Sequence, residues 1–167
     1  MNKIRYYIVL YIAKLAQLFI KLLGRNATFL PGKIAIALYK DFLAQIKPPK
    51  TVIAVTGTNG KTTVSNLITS ILTKNGYSVT NNSLGSNVQA GVISALIEDT
   101  TFLGKPKKDI AVLEVDERSS LLIYPRLNPD YLVCTNLMRD SIKRNAHTEF
   151  IRYVIDKALP QKTTLVL

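Results

Sequence analysis

Cysteine and histidine are almost absent from this 167-residue chain, with one of each, and acids are half as frequent as bases, 11 against 22. One cysteine permits no disulfide framework. With Cys134 and His147 standing alone, no Cys/His spacing for a metal site exists, a pattern that suits a reducing cytoplasm. Cys134 lies in the apolar run Tyr131-Leu132-Val133-Cys134 and reads as a small buried residue rather than a nucleophile. His147 sits among polar residues before a predicted helix and reads as an exposed or capping residue. No Asp-x-x-Gly switch and no Asn-Lys-x-Asp signature occurs, which argues against a guanine-nucleotide switch.

The shortage of acid is local. Residues 1–50 hold nine Lys and Arg against one acid, a net +8, while the other 117 residues hold thirteen against ten, a net +3. A basic charge confined to one end argues against a nucleic-acid coat and for a local acidic partner, such as anionic lipid head groups. Residues 4–23 (IRYYIVLYIAKLAQLFIKLL) have helical, strongly apolar spacing. At 100° per residue Lys3, Lys14, Gln17 and Lys21 share one narrow face and leave a wide apolar surface. A transmembrane span is disfavoured because Lys14 sits mid-segment, at about 2.5–3.5 kcal/mol on insertion scales. A signal peptide is disfavoured because no small-residue cleavage site follows. Two readings stay open: an interfacial helix at a membrane or partner domain, and a helix packed on its own protein. Gly24 stops this helix, residues 25–32 read as a loop, and a second helix is predicted over about 33–46. Lys47-Pro48-Pro49-Lys50 then marks a boundary between a helical segment, 1–47, and a second unit, 48–167.

That unit opens on Val52-Ile53-Ala54-Val55-Thr56-Gly57-Thr58-Asn59-Gly60-Lys61-Thr62-Thr63, a β-branched run, a glycine turn and a helix start. This is a phosphate-binding loop in the context that gives the motif meaning. Backbone N–H groups converge on phosphate oxygens, and the helix N-terminus adds a positive dipole. Lys61 can reach terminal phosphates, and the Thr62 hydroxyl is placed to ligate Mg²⁺. The general pattern asks for glycine where Val55 stands; Gly57 lies two residues later instead. Further on, strands are predicted at 51–56, 77–80, 109–115, 130–135 and 163–167, with helices at 61–75, 86–99 and 148–159. The helix at 61–75 carries Val64, Leu67, Ile68, Ile71 and Leu72 on one face. Fully apolar strands alternating with helices imply an α/β fold, a P-loop parallel sheet with flanking helices preceded by the N-terminal helical segment. Ligands in such sheets sit at the carboxyl ends of strands. Glu114, with Asp116 and Glu117 beyond it, closes one strand and can bind Mg²⁺ opposite Thr62; Asn136, Arg139 and Asp140 close another.

The loop Thr56-Gly57-Thr58-Asn59-Gly60-Lys61-Thr62-Thr63 resembles that of the Mur ligases and folylpolyglutamate synthetases, where the first glycine is likewise displaced. Four further features resemble the synthetase subunits that amidate lipid II. They are the basic-apolar helix followed by Gly-Arg-Asn-Ala-Thr-Phe-Leu-Pro-Gly, the segment Thr80-Asn81-Asn82-Ser83-Leu84-Gly85-Ser86-Asn87, the strand end Leu113-Glu114-Val115-Asp116-Glu117, and Asn128-Pro129-Asp130 with Thr135-Asn136-Leu137-Met138-Arg139-Asp140. The resemblance implies ATP bound by Thr56–Thr63 and Asn136, Mg²⁺ held by Thr62 and Glu114, and Lys61 and Glu114 as catalytic groups. It also implies activation of the D-glutamate carboxylate of lipid II as an acyl phosphate, amidated with ammonia from a GatD-like glutaminase. The setting would be cytoplasmic, peripheral to the inner membrane face, with residues 3–23 touching the membrane surface. The chain departs from the family at Ser141–Asn145, has no Cys pair for a zinc ribbon, and ends where the resemblance expects Asn-Ala-Asp-Asp-Pro. An N-terminal portion of a longer ligase is therefore expected. The alternatives are a non-catalytic nucleotide-binding fragment and, less favoured, another P-loop ATPase.

Overall fold

The computed structural model describes residues 3–138 and 148–167. Five strands, β1 (Thr51–Thr56), β2 (Val79–Asn81), β3 (Ile110–Glu114), β4 (Tyr131–Cys134) and β5 (Thr164–Val166), form one sheet in the order β2-β3-β1-β4-β5. Every pairing is parallel. Helices α1 (Lys3–Leu22) and α2 (Leu30–Leu38) precede the sheet, while α3 (Lys61–Lys74), α4 (Gln89–Asp99), α5 (Ser120–Leu127) and α6 (Thr148–Ala158) connect its strands.

Alternation along the strands feeds two apolar clusters, one on each face. Val52, Ala54, Ala111, Leu113 and Leu132 pack on one side with side chains of α1, α2, α4, α5 and α6. Val55, Ile110 and Val112 point the other way and meet Val64, Ile68 and Leu72 of α3. β3 is buried at all five positions, as a central strand covered on both faces must be.

Several elements differ from their sequence expectation. The second helix starts at Leu30 rather than 33, because Pro31 in a first turn needs no N–H and arrives with helical φ. It stops at Leu38, where Tyr39 turns extended (φ −149°), and a separate 3-10 turn, Phe42–Ala44, buries Phe42 and Leu43. Of the five apolar residues expected on one face of α3, Val64, Ile68 and Leu72 pack on the sheet, while Leu67 and Ile71 lie exposed on the outer side. No element is expected from the sequence between Val115 and Asp130, yet α5 forms there despite Pro125. Burial of Ile123, Tyr124 and Leu127 outweighs the hydrogen bond that proline removes, and Asn128 (φ 49°) ends the helix.

The basic-apolar helix packs on its own protein along one side. Tyr6, Val9, Leu10 and Ala13 enter the larger core. The polar row lies against α4: Lys14 donates to the carbonyls of Ile97 (2.8 Å) and Thr100, and Lys21 pairs with Glu98. Lys14 thus supplies a cation at the C-terminus of α4, where the helix dipole favours one. Burial, with nearby Lys107, pulls the Lys14 ammonium down to about 8.

Two glycines permit close backbone approach: Gly32 lets α2 lie against α4, and Gly91 lets the segment before α4 pass over that helix. A Cβ at Gly32 would lie 1.9 Å from the Ala90 carbonyl oxygen, and one at Gly91 would lie 1.7 Å from that of Ser86. Neither backbone oxygen can be displaced as a flexible side chain could. Gly91→Ala is therefore expected to destabilise the fold by about 3 kcal/mol, the upper range of overpacking. Gly24→Ala, where the added carbon meets nothing within 4 Å, is expected to lose only the cost of its positive φ, roughly 1 kcal/mol. Urea unfolding of the two variants checks the ordering.

Candidate nucleotide-binding site

Parallel pairing aligns the carboxyl ends of three strands. Val55 is opposite Glu114 and Thr56 is opposite Cys134. The loop leaving β1 therefore emerges between the ends of β3 and β4, at the crevice where open α/β sheets bind ligands. Gly57 (φ 127°) crosses so close to β4 that a Cβ would lie 2.3 Å from Thr135 Oγ1. Gly60 (φ 81°) turns the chain into α3. These left-handed conformations require glycine and explain why both stand in the motif.

The loop is clamped by the end of β4. The amides of Thr58 and Asn59 donate to the Asn136 backbone carbonyl (2.9 Å) and to Asn136 Oδ1 (3.0 Å). Asn136 Nδ2 and Thr135 Oγ1 both donate to the Asn59 carbonyl, at 3.0 and 2.6 Å. Thr58 Oγ1 exchanges hydrogen bonds with the Met138 backbone. Among the described residues no side chain caps the first turn of α3, whose leading N–H groups carry the positive end of the helix dipole.

Lys61 and Thr62 leave that turn in different directions. Lys61 Nζ folds back onto the carbonyls of Gly57 and Thr58 (3.3 Å) and pairs with Glu117 Oε1 at 3.3 Å. The side chains of the pair are only 13% and 3% exposed, so this contact is poorly screened by water. Three acceptors match the three donors of an ammonium. A phosphate would exchange with the carbonyls while Glu117 keeps the charge in place. Thr62 Oγ1 donates to Glu114 Oε2 at 2.7 Å, and Asn87 Nδ2 donates to Glu114 Oε1 at 3.3 Å. Asn82 grips the backbone on both sides of this carboxylate, accepting from Glu114 N–H (2.7 Å) and donating to its carbonyl (2.9 Å).

The Thr62–Glu114 pair fits a magnesium ion. Two neighbouring ligands of an octahedron with bonds of about 2.0–2.1 Å lie roughly 2.9 Å apart, close to the separation here. Among the described residues no cluster of three or more Asp, Glu, His or Cys side chains forms. Mg²⁺ needs only one or two protein oxygens, the rest of its sphere being phosphate and water.

The residues expected from sequence divide into three groups. Gly57, Thr58, Asn59, Gly60, Lys61, Thr62, Glu114 and Asn136 come together around the loop. Thr63 lies exposed on the first turn of α3. Thr56 is fully buried and donates to the Val115 carbonyl, so its hydroxyl ties β1 to β3 rather than facing a ligand. Arg139, Asp140, His147 and the Ser141–Asn145 departures lie outside the described residues. Glu117, Asn82, Asn87 and Thr135 were not assigned to the site; the asparagines fall in the segment Thr80–Asn87 already singled out, and Glu117 ends the acidic strand-end motif. Cys134 is half-buried at the end of β4, where desolvation pushes its thiol up, away from nucleophile chemistry.

The fold and loop define a class. Residues 55–158 match the Mur ligase middle domain, and the chain belongs to the Mur ligase family. It is 37% identical over 141 residues to the MurT subunit of the glutamine-hydrolyzing lipid II isoglutaminyl synthase of Staphylococcus aureus (strain COL), covering 84% of this chain and 31% of the relative. It is 38% identical over 122 residues to the Streptococcus pneumoniae (strain ATCC BAA-255 / R6) MurT subunit, covering 73% and 27%. The chain thus spans about a third or less of the length of these relatives. Among solved structures, MurF ligase from Thermotoga maritima in complex with ADP superimposes with a TM-score of 0.63 at 22% identity, covering 78% of this chain and 31% of that one. FolC of E. coli in complex with DHPP and ADP gives 0.56 at 21%, covering 72% and 37%.

Because the Asn136 side chain holds both the amide and the carbonyl of Asn59, Asn136→Ala leaves the amide without this partner and the carbonyl with Thr135 Oγ1 alone. We expect a loss of about 1–2 kcal/mol and faster hydrogen exchange at the Asn59 amide, read by hydrogen–deuterium exchange.

Proposed function

We propose that residues 48–167 are the ATP-binding portion of an amide-forming ligase of peptidoglycan synthesis, with residues 1–47 a basic helical segment packed against it. The observation that carries this reading is the pairing of Lys61 with Glu117 and of Thr62 with Glu114 around one uncapped helix start. It separates a phosphate-binding cation from a metal-binding oxygen pair, as phosphoryl transfer from ATP needs. The likeness to MurT subunits then suggests the carboxylate: D-glutamate in the lipid II stem peptide.

In this reading a carboxylate oxygen attacks the γ-phosphorus and ADP leaves. Ammonia then attacks the acyl carbon and inorganic phosphate departs, leaving the amide. The N–H groups at the start of α3 hold the phosphates in line, and Lys61 offsets charge on the departing bridge. Mg²⁺ at Thr62 and Glu114 would neutralise phosphate charge. Asn87 holds the Glu114 carboxylate and Asn82 holds its backbone, so Glu114 needs no reorganisation when phosphate arrives. Ammonia would come from a GatD-like glutaminase subunit, and a lipid-linked substrate would hold the assembly at the cytoplasmic face of the membrane.

Mg-ATP at about a hundred times its Kd is expected to stabilise the chain by about 2.7 kcal/mol, roughly 5–10 °C in melting temperature for a protein this size. Lys61→Ala should remove most of that rise. Glu114→Gln should remove the part that depends on Mg²⁺, leaving the response to ATP in EDTA unchanged. Differential scanning fluorimetry reads all three, and a wild-type chain that does not respond rejects the nucleotide reading.

A further inference from the structure

The outward side of α1 carries no charge. Ile4, Ile8, Leu15, Leu18, Phe19 and Leu22 are each more than half exposed and fall on one stripe, opposite the buried Tyr6, Val9, Leu10 and Ala13. From Ile4 to Leu22 the stripe runs about 27 Å. A helix buried along one side and apolar along the other still needs a cover, since bare apolar bands of this kind mark interaction surfaces.

The loop after α4 extends the stripe. Phe102 and Leu103 are among the more exposed large apolar side chains, and both are tied to α1 by tyrosines. Tyr11 Oη donates to the Phe102 carbonyl (3.2 Å), Tyr7 Oη to that of Leu103 (3.3 Å), and the Tyr11 and Phe102 rings lie 6.1 Å apart. Beside this tip a cavity of about 310 Å³ is lined by Lys3, Lys47 and Lys105 with Tyr6, Tyr7 and Gln45, and no acid among the described residues lines it. Tyrosine and lysine at the margin of an apolar band are the residues that sit at the head-group level of a bilayer.

We infer that the outer stripe of α1, the Phe102-Leu103 tip and the lysine-lined cavity together dock the protein on an anionic lipid bilayer. Apolar side chains would enter the acyl boundary, while Lys3, Lys47 and Lys105 would meet lipid phosphates. Charge decides the occupant. Two copies joined through this stripe would bring two N-terminal segments, each of net +8, face to face. An anionic surface instead meets that charge with its opposite. No helix among the described residues is long and apolar enough to cross a membrane, so the helix would lie in the surface plane. The inference goes beyond the ligase reading and does not depend on which carboxylate is activated.

Flotation of the chain with vesicles of equal phosphatidylcholine and phosphatidylglycerol tests it, with pure phosphatidylcholine as comparison. The wild-type chain should float with the anionic vesicles, less so as salt is raised. Leu15→Asp with Phe19→Asp, and separately Lys3→Glu with Lys47→Glu and Lys105→Glu, should each reduce partitioning about tenfold or more. All these positions are solvent-accessible, and circular dichroism checks that each variant folds; should one misfold, the other decides. A wild-type chain that stays with the soluble fraction, or variants that float as well as it does, overturns the inference. So does a wild-type dimer that Leu15→Asp with Phe19→Asp dissociates and that does not float. Melting with Mg-ATP, followed in parallel, reports on the nucleotide reading separately.

Discussion

Parallel pairing of β1 with β3 on one side and β4 on the other is the constraint on which the rest of the molecule depends. Val55 opposite Glu114 and Thr56 opposite Cys134 set how far each strand projects at the carboxyl edge. The loop between Gly57 and Gly60 can then reach Asn136 on one side while Thr62 reaches Glu114 on the other. A slip of one residue in β3 would turn Glu114 to the opposite face of the sheet and bring a valine or leucine to its place. The apolar alternation that feeds the two core clusters resists that slip, so the energetics of the core hold the geometry of the site.

Within the site, polar groups hold one another ahead of any ligand. Glu114 is buried yet bonded through both oxygens, and Glu117 is buried against Lys61. Buried carboxylates without partners would cost several kcal/mol each. Their retention beside an uncapped helix start makes sense if phosphate and cation complete the network. The asparagines contribute by geometry. An amide can donate and accept at once, which lets Asn82 bracket the Glu114 backbone and Asn136 bracket Asn59.

The first helix shows the opposite arrangement of polar and apolar groups from an isolated surface helix. Lys14 and Lys21 meet a carbonyl and a carboxylate of α4, while large aliphatic side chains face outward. Helical spacing in the sequence distinguished a polar row from a wide apolar arc, but the arc is wider than one neighbour can cover. Part of it enters the core and part remains outside. Which residues do which depends on where α4 and the 3-10 turn lie, and that is information about distant parts of the chain.

The glycine loop between β1 and α3, the parallel α/β class, the order of most elements and the pairing of Thr62 with Glu114 were legible in the sequence. Their signals are local: glycine where φ must be positive, β-branched runs for buried strands, a carboxylate at a strand end. Helix α5 was hidden because Pro125 argues against a helix and only the burial of Tyr124 and its neighbours overrules it. Glu117 as the partner of Lys61, the inward turn of Thr56 and the outward apolar side of α1 were hidden for a related reason. Each depends on which distant groups approach, 56 residues apart for Lys61 and Glu117 and 59 for Thr56 and Val115, a choice made when the strands pair and the helices pack. By itself the sequence determined what kinds of group line the crevice and the outer helix. Only the tertiary structure decided which face which, because burial and register act on the assembled sheet rather than on any one segment.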